Sequence, residues 1–179
     1  MVKMEQKQPL SLGIDIGSTT VKTVLREGDR VIYEKYERHM SRVRLKTLEM
    51  LEELRPYVGE REFFAALSGS AGLANACGLP FVQEVFATGE VVKKLEPDAS
   101  AVIELGGEDA KIIFFEGGTD ERMNGTCAGG TGAFIDQMAT LLDLSVDEMD
   151  ALSMKHTRIY PIASRCGVFA KTDIQPLLN

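Results

Sequence analysis

Two stretches of this chain repeat one another, and the repeat constrains the fold more than any other feature. Residues 12–25 read LGIDIGSTTVKTVL and residues 102–115 read VIELGGEDAKIIFF. Laid together without gaps, Asp15 falls on Glu104, Gly17 on Gly106, Thr20 on Asp109 and Lys22 on Lys111; 104 minus 15 and 111 minus 22 both give 89. In each copy an apolar run carries an acid to a glycine turn, and a second apolar run leaves it. Val21, Thr23 and Leu25 alternate with Lys22 and Val24, as on a strand. Each copy therefore predicts a β-hairpin with one carboxylate beside a turn of small residues. Such a turn offers main-chain N–H groups and hydroxyls to phosphate, while the carboxylate holds Mg²⁺ through water. One copy alone is equally well read as a plain hairpin. Two copies at one offset predict two similar lobes, with a polyphosphate between facing turns.

Composition narrows the class. The chain has 179 residues, 44% hydrophobic and 26% charged, enough for one good core or two small ones. A net charge of −7 provides no general basic footprint for nucleic acid or an anionic membrane. No apolar run approaches the roughly 20 residues needed to span a bilayer. The start, MVKMEQKQPL, lacks the apolar core of a signal peptide. The expectation is a cytoplasmic protein with neither nucleic acid nor membrane as partner. Three widely spaced cysteines make no disulfide framework.

In chain order, residues 1–10 are expected as a flexible tail, 11–98 as a first lobe and 99–179 as a second, with the boundary at Pro97-Asp98. A third strand is predicted over 30–37. Leu45, Leu48, Leu51 and Leu54 recur every three residues and predict a helix ending near Pro56 and Gly59. A buried strand over 63–67, a short helix over 69–76, a strand over 81–86 and a helix through Leu95 follow. The second lobe is predicted to hold strands over 101–105, 111–115 and 121–123, then helices. His39 and His156 lie in polar surroundings and are expected on the surface. Met138, Met149 and Met154 sit at helical spacing and are expected in the core. Asp147-Glu148 after Ser145 reads as a helix N-terminal pattern.

Two cysteines precede helical patterns. NGTCAGGTG, with Cys127, leads into Phe134, Ile135, Met138, Leu141 and Leu142; PIASRC, ending at Cys166, leads into Val168, Phe169 and Ala170. A helix N-terminus presents free N–H groups and positive potential, which favours an anionic ligand set. Spacing alone, without a C-x-x-C pair, favours two small core residues.

DIGSTTVK resembles the first phosphate motif of the actin, heat-shock chaperone and sugar kinase superfamily, and ELGGEDAK resembles the second. NGTCAGGTGAF and SRCGVFAKTD are similar to stretches of a narrower family. Its members are the ATP-dependent activators of 2-hydroxyacyl-CoA dehydratases and the related benzoyl-CoA reductase ATPase subunits. The resemblance covers the chain from Leu12 onward. It implies an α/β, ribonuclease H-like fold of two similar lobes around a nucleotide cleft, with ATP and Mg²⁺ as cofactors. It implies catalytic roles for Asp15, Glu104 and Asp109. Nucleotide contacts fall on Gly17, Ser18, Thr19, Thr20, Lys22, Gly106, Gly107, Gly129, Gly130 and Thr131. Asp15 is the implied Mg²⁺ residue. The family usually carries Asp at the place of Glu104 and often Gln at that of Glu108; the longer carboxylate at 104 reaches Mg²⁺ through water or displaces the attacking water. The family's adenosine-binding Gly-Gly segment and closing helix have no counterpart before Asn179, so the second lobe is expected to be incomplete, as in a fragment of a longer chain.

Two cysteines cannot complete a site that wants four thiolates, but two copies of the chain can. The resembling family carries one such 4Fe–4S cluster between two subunits. The match at Cys127 and Cys166 implies the same here, in a homodimer and in an anaerobic setting, with Zn²⁺ as an alternative. Cys77 matches no ligand and is expected as a buried structural thiol; Arg165, beside Cys166, is a surface charge or tunes the cluster. The implied function is ATP-driven one-electron donation to a 2-hydroxyacyl-CoA dehydratase or related reductase, supplied by a low-potential donor such as ferredoxin or flavodoxin. Two alternatives stand beside it: a small-molecule kinase of the sugar or pantothenate type, and a non-catalytic interaction module. The kinase reading leaves the cysteines unexplained.

Overall fold

The computed structural model describes residues 8–124, 129–164 and 166–178. Cys127 and Arg165, and all of the expected tail up to Lys7, lie outside them. The chain divides into two compact units, residues 1–97 and 98–179.

In the first unit, alternation writes the sheet. Leu10, Leu12, Ile14 and Ile16 of β1 (Leu10–Ile16) are buried while Ser11 and Gly13 are exposed, the period-2 signature of a strand with one covered face. Leu10, expected as the end of the tail, is thus the first core residue. β2 (Thr20–Glu27) pairs antiparallel with β1 and buries Val21, Thr23 and Leu25. β3 (Arg30–Arg38) pairs antiparallel with β2, with an irregularity between Leu25 and Arg26. Helix α1 (Val43–Val58) then crosses over, and β4 (Phe63–Ser68) returns parallel to β1, giving the order β3-β2-β1-β4. A parallel return needs such a crossover, since no tight turn can reverse the direction of the chain twice.

The helix is where the leucine row predicts it, but the row is not its buried face. Leu45 and Leu48 are exposed, whereas Thr47, Met50 and Leu54 are buried, with Val43, Leu51 and Val58 packed against the core. Strict three-residue spacing drifts around a helix of 3.6 residues per turn, so the core stripe follows alternating steps of three and four. Past β4 come α2 (Ala71–Cys77) and α3 (Glu84–Leu95). The strand predicted over 81–86 shrinks to one parallel bridge, Phe81 to Leu67, because α3 already begins at Glu84. Cys77 is exposed, not a buried thiol.

The second unit opens with an antiparallel meander, β5 (Ala101–Leu105), β6 (Ala110–Phe114) and β7 (Asp120–Asn124). Helices α4 (Gly132–Leu141), α5 (Val146–Ser153) and α6 (Gly167–Ile174) follow, with a 3-10 turn over Gln175–Leu178. Ser145 and Glu148 close a capping box on α5: the Ser145 Oγ accepts from Glu148 N–H while the Glu148 carboxylate takes the Ser145 N–H. Ile113, Met138, Ala139 and Ala170 are buried, Met149 is half-buried, and Met154 is exposed, against its expected core placement. Among the described residues no helix is long and apolar enough to cross a membrane.

Candidate functional site

The repeat reappears as geometry. β1 and β2 place Asp15 opposite Lys22, and β5 and β6 place Glu104 opposite Lys111. In both hairpins the acid is the penultimate residue of its strand, and the lysine faces it across the ladder.

In the first hairpin Lys22 Nζ lies 2.8 Å from Asp15 Oδ2. Burial works to lower the Lys22 pKa, but the hydrogen bond and charge of Asp15, with smaller help from Tyr36 and Glu84, outweigh it and hold the ammonium above its ordinary range. The other oxygen, Asp15 Oδ1, is buried without a hydrogen-bond partner. The turn itself is short: Gly17 N–H donates to Thr20 O at 3.0 Å, with Ser18 exposed and Thr19 half-buried between them. Thr20, expected among the nucleotide contacts, is buried at the start of β2.

Gly69 completes this site, and sequence reasoning missed its role. It follows β4 with φ +80°, and a Cβ there would collide with the Ile16 carbonyl and stand 3.0 Å from Asp15 Oδ1. Only glycine lets the end of β4 pass so close to the acid. A glycine between a strand and a helix-capping serine was the available signal: Ser70 caps α2 by accepting from Leu73 N–H. His39 was also missed. Expected on the surface, it is 6% exposed and bonded to the Gly17–Thr19 turn.

The second hairpin handles its lysine differently. Lys111 Nζ stands 3.3 Å from Asp109 Oδ2 and 3.9 Å from Glu104 Oε1, with the lysine side chain 7% exposed. Asp109 curls over Gly106, where an added Cβ would strike Asp109 Oδ1; Gly107 beside it is half-buried. The turn is tied to the following helix by main chain, Gly132 N–H donating to Gly106 O at 2.8 Å. A Cβ on Gly132 would lie 3.0 Å from that same oxygen. Thr131, fully buried, is the N-cap residue of α4, its carbonyl accepting from Phe134 and Ile135 N–H. Gly130 has φ +89° and open space around it.

Cys166 is half-buried and is the N-cap residue of α6, with extended backbone, φ −129° and ψ 114°. The next residue meets the other glycine-rich segment: a Cβ on Gly167 would lie 3.0 Å from Gly129 Cα and 3.3 Å from Phe134 Cδ2. The chain just after Cys166 is therefore packed on the chain two residues beyond position 127. Among the described residues, no three His, Cys, Asp or Glu side chains gather as a metal site.

The family model described as the BadF/BadG/BcrA/BcrD ATPase family matches residues 12–178. The chain belongs to this family. The (R)-2-hydroxyglutaryl-CoA dehydratase activating ATPase of Acidaminococcus fermentans is 29% identical over 170 residues, 92% of this chain and 65% of the relative. Its crystal structure aligns with a TM-score of 0.80 over 96% of this chain and 68% of that one, at 27% identity. The activator of 2-hydroxyisocaproyl-CoA dehydratase from Clostridium difficile, solved with bound ADPNP, gives a TM-score of 0.80 at 26% identity over 94% of this chain and 65% of that one. A subunit of the benzoyl-CoA reductase of Thauera aromatica is 30% identical over 181 residues, 92% of this chain and 62% of the relative. The chain thus spans somewhat under two thirds of the curated relatives named here. These matches bear out the α/β fold of the actin-like ATPase class.

Proposed function

We propose that this chain is the nucleotide-binding and cysteine-bearing part of an ATP-dependent activator of a 2-hydroxyacyl-CoA dehydratase or a related CoA-thioester reductase. Membership of an ATPase family and the likeness to named activators support this reading. The observation that carries it is the contact of Gly167 with Gly129, which brings together the segments that follow positions 166 and 127.

For Mg-ATP, the first hairpin fits. Asp15 has one oxygen held by Lys22 and one buried oxygen unpartnered, the arrangement suited to a hard cation or its water shell. Gly17, Ser18 and Thr19 offer main-chain N–H groups and hydroxyls to phosphate oxygens; Gly106 and Gly107 do so in the second hairpin, beside Gly129, Gly130 and Thr131. Lys22 holds one oxygen of Asp15 and aims the carboxylate, while Glu104 and Asp109 position the water that attacks the terminal phosphate.

For a 4Fe–4S cluster, Cys166 fits as a half-buried thiol at a helix start, and Cys127 supplies the second ligand of each copy. Two copies around a twofold axis complete four thiolates. Such a cluster, when bound, supplies one transferable electron, replenished by a ferredoxin- or flavodoxin-like donor in the cytoplasm. The Gly106 O to Gly132 N–H bond gives the second phosphate turn a main-chain link to α4, and the Gly129–Gly167 contact carries that link to Cys166. Phosphate loss at the turn can thereby shift the cysteine segments.

A crossed pair of variants tests this in anaerobically reconstituted protein. Wild type is expected to be a brown dimer with about four irons per dimer. Asp15→Ala should abolish ATP hydrolysis and keep the iron; Cys166→Ala should lose the iron and weaken the dimer, and Cys77→Ala should do neither. A colourless wild-type monomer with all cysteines reduced would refute the cluster.

A further inference from the structure

We propose that His39 is a positioning residue for the Gly17–Thr19 turn, fixing the peptide that faces phosphate; this rests on the reading of that turn as a phosphate site.

His39 follows the last residue of β3 and is bonded on every side. Its N–H donates to Thr19 O at 3.1 Å, and its carbonyl accepts from Arg42 N–H at 2.7 Å. Its ring Nδ1 accepts from Ser41 N–H at 3.1 Å, while Nε2 lies 3.2 Å from Gly17 O. An Nδ1 that accepts leaves the proton of a neutral ring on Nε2, so Nε2–H donates to the Gly17 carbonyl. One residue therefore grips the first and last carbonyls of a three-residue turn. In a trans peptide the carbonyl and the following N–H point opposite ways. Holding Gly17 O toward the ring thus turns Ser18 N–H away from it.

The backbone supplies a second, independent sign. Met40 and Ser41 both have positive φ, 46° and 62°, a region that side-chain-bearing residues rarely enter, and here two do so in succession. Surroundings must over-determine such a conformation, and strained segments of this kind gather at ligand sites. Here the strained pair is what swings Ser41 N–H back onto the His39 ring.

The test uses the 179-residue chain with His39→Ala, His39→Gln and His39→Asn. Glutamine places an N–H donor where Nε2 stands; asparagine reproduces only the Nδ1 acceptor. His39→Ala should speed amide exchange at Gly17 about tenfold and weaken Mg-ATP binding about tenfold, the loss of one good hydrogen bond. The amides of Leu12 and Leu25 should keep their protection. His39→Gln should restore both readouts, and His39→Asn neither. Unchanged Gly17 exchange in His39→Ala, equal acceleration at Leu12 and Leu25, or rescue by asparagine rather than glutamine would each overturn the assignment. If wild type fails to bind Mg-ATP, the phosphate reading falls, while the Gly17 exchange still decides whether His39 holds the turn.

Discussion

The two hairpins share a register and differ in what surrounds their acids. Asp15 is short, holds a partly exposed lysine at 2.8 Å, and is closed over by a glycine that arrives 54 residues later in the chain (69 minus 15). Glu104 is one methylene longer and shares a buried lysine with Asp109, and its turn is tied to the helix that opens at Gly132. Identical pairing thus supports two electrostatic solutions. The first leaves one buried carboxylate oxygen without a hydrogen-bond partner; the second gathers two carboxylates on one ammonium.

Glycine substitutions should break this comparison most sharply. Gly69→Ala forces a Cβ against main chain at a positive φ and should cost about 3 kcal/mol or more. Gly106→Ala meets a movable side chain, Asp109, and should cost about 1–2 kcal/mol as that carboxylate swings off Lys111. Gly17→Ala, whose Cβ would meet nothing nearer than 3.8 Å, should stay within about 0.5 kcal/mol. Urea unfolding of the three variants ranks them; an equal cost at 17 and 106 would erase the proposed difference between the turns.

The lysines give the next contrast. Lys111→Met strands two carboxylates around a side chain 7% exposed and should destabilise by about 2–3 kcal/mol. Lys22→Met removes a pair 39% and 23% exposed, so solvent screening limits its cost to about 1 kcal/mol or less. Thermal denaturation at neutral pH measures both, and a larger loss at 22 would reverse the assignment of the buried pair.

The smallest effect is in alkaline pH. Lys22 has its pKa raised above the ordinary 10.5, so its contribution is complete below that value and is lost as pH rises through the higher folded value. Wild type should therefore show a shallow extra decline in stability above pH 10.5, worth about 0.5 kcal/mol after screening. A pH series on Lys22→Met should lack it; parallel curves would remove the ion pair from the account.

Much of this is legible in the amino-acid order, because strand alternation and a constant offset between repeats depend on side-chain chemistry alone. The two hairpins with matching turns follow from it, as do the Ser145 cap and the helix opening at Cys166. What stays hidden is set by remote main chain. His39 looks polar and external until the carbonyls of Gly17 and Thr19 are seen around it. Gly69 needs the Ile16 carbonyl for its meaning. The 81–86 stretch is a short apolar run of the kind that strand and helix share, and its acidic Glu84 serves the first turn of α3.

The parallel pairing of β4 with β1 also bears on the order in which the molecule is made. A hairpin such as β1–β2 closes locally and quickly, whereas β4 can dock only after α1 has spanned the intervening chain. A nascent chain that has emerged only as far as α1 already carries the Asp15–Lys22 hairpin but lacks Gly69. The closed surroundings of Asp15 are accordingly a late property of the first unit, acquired only when β4 brings Gly69 beside it.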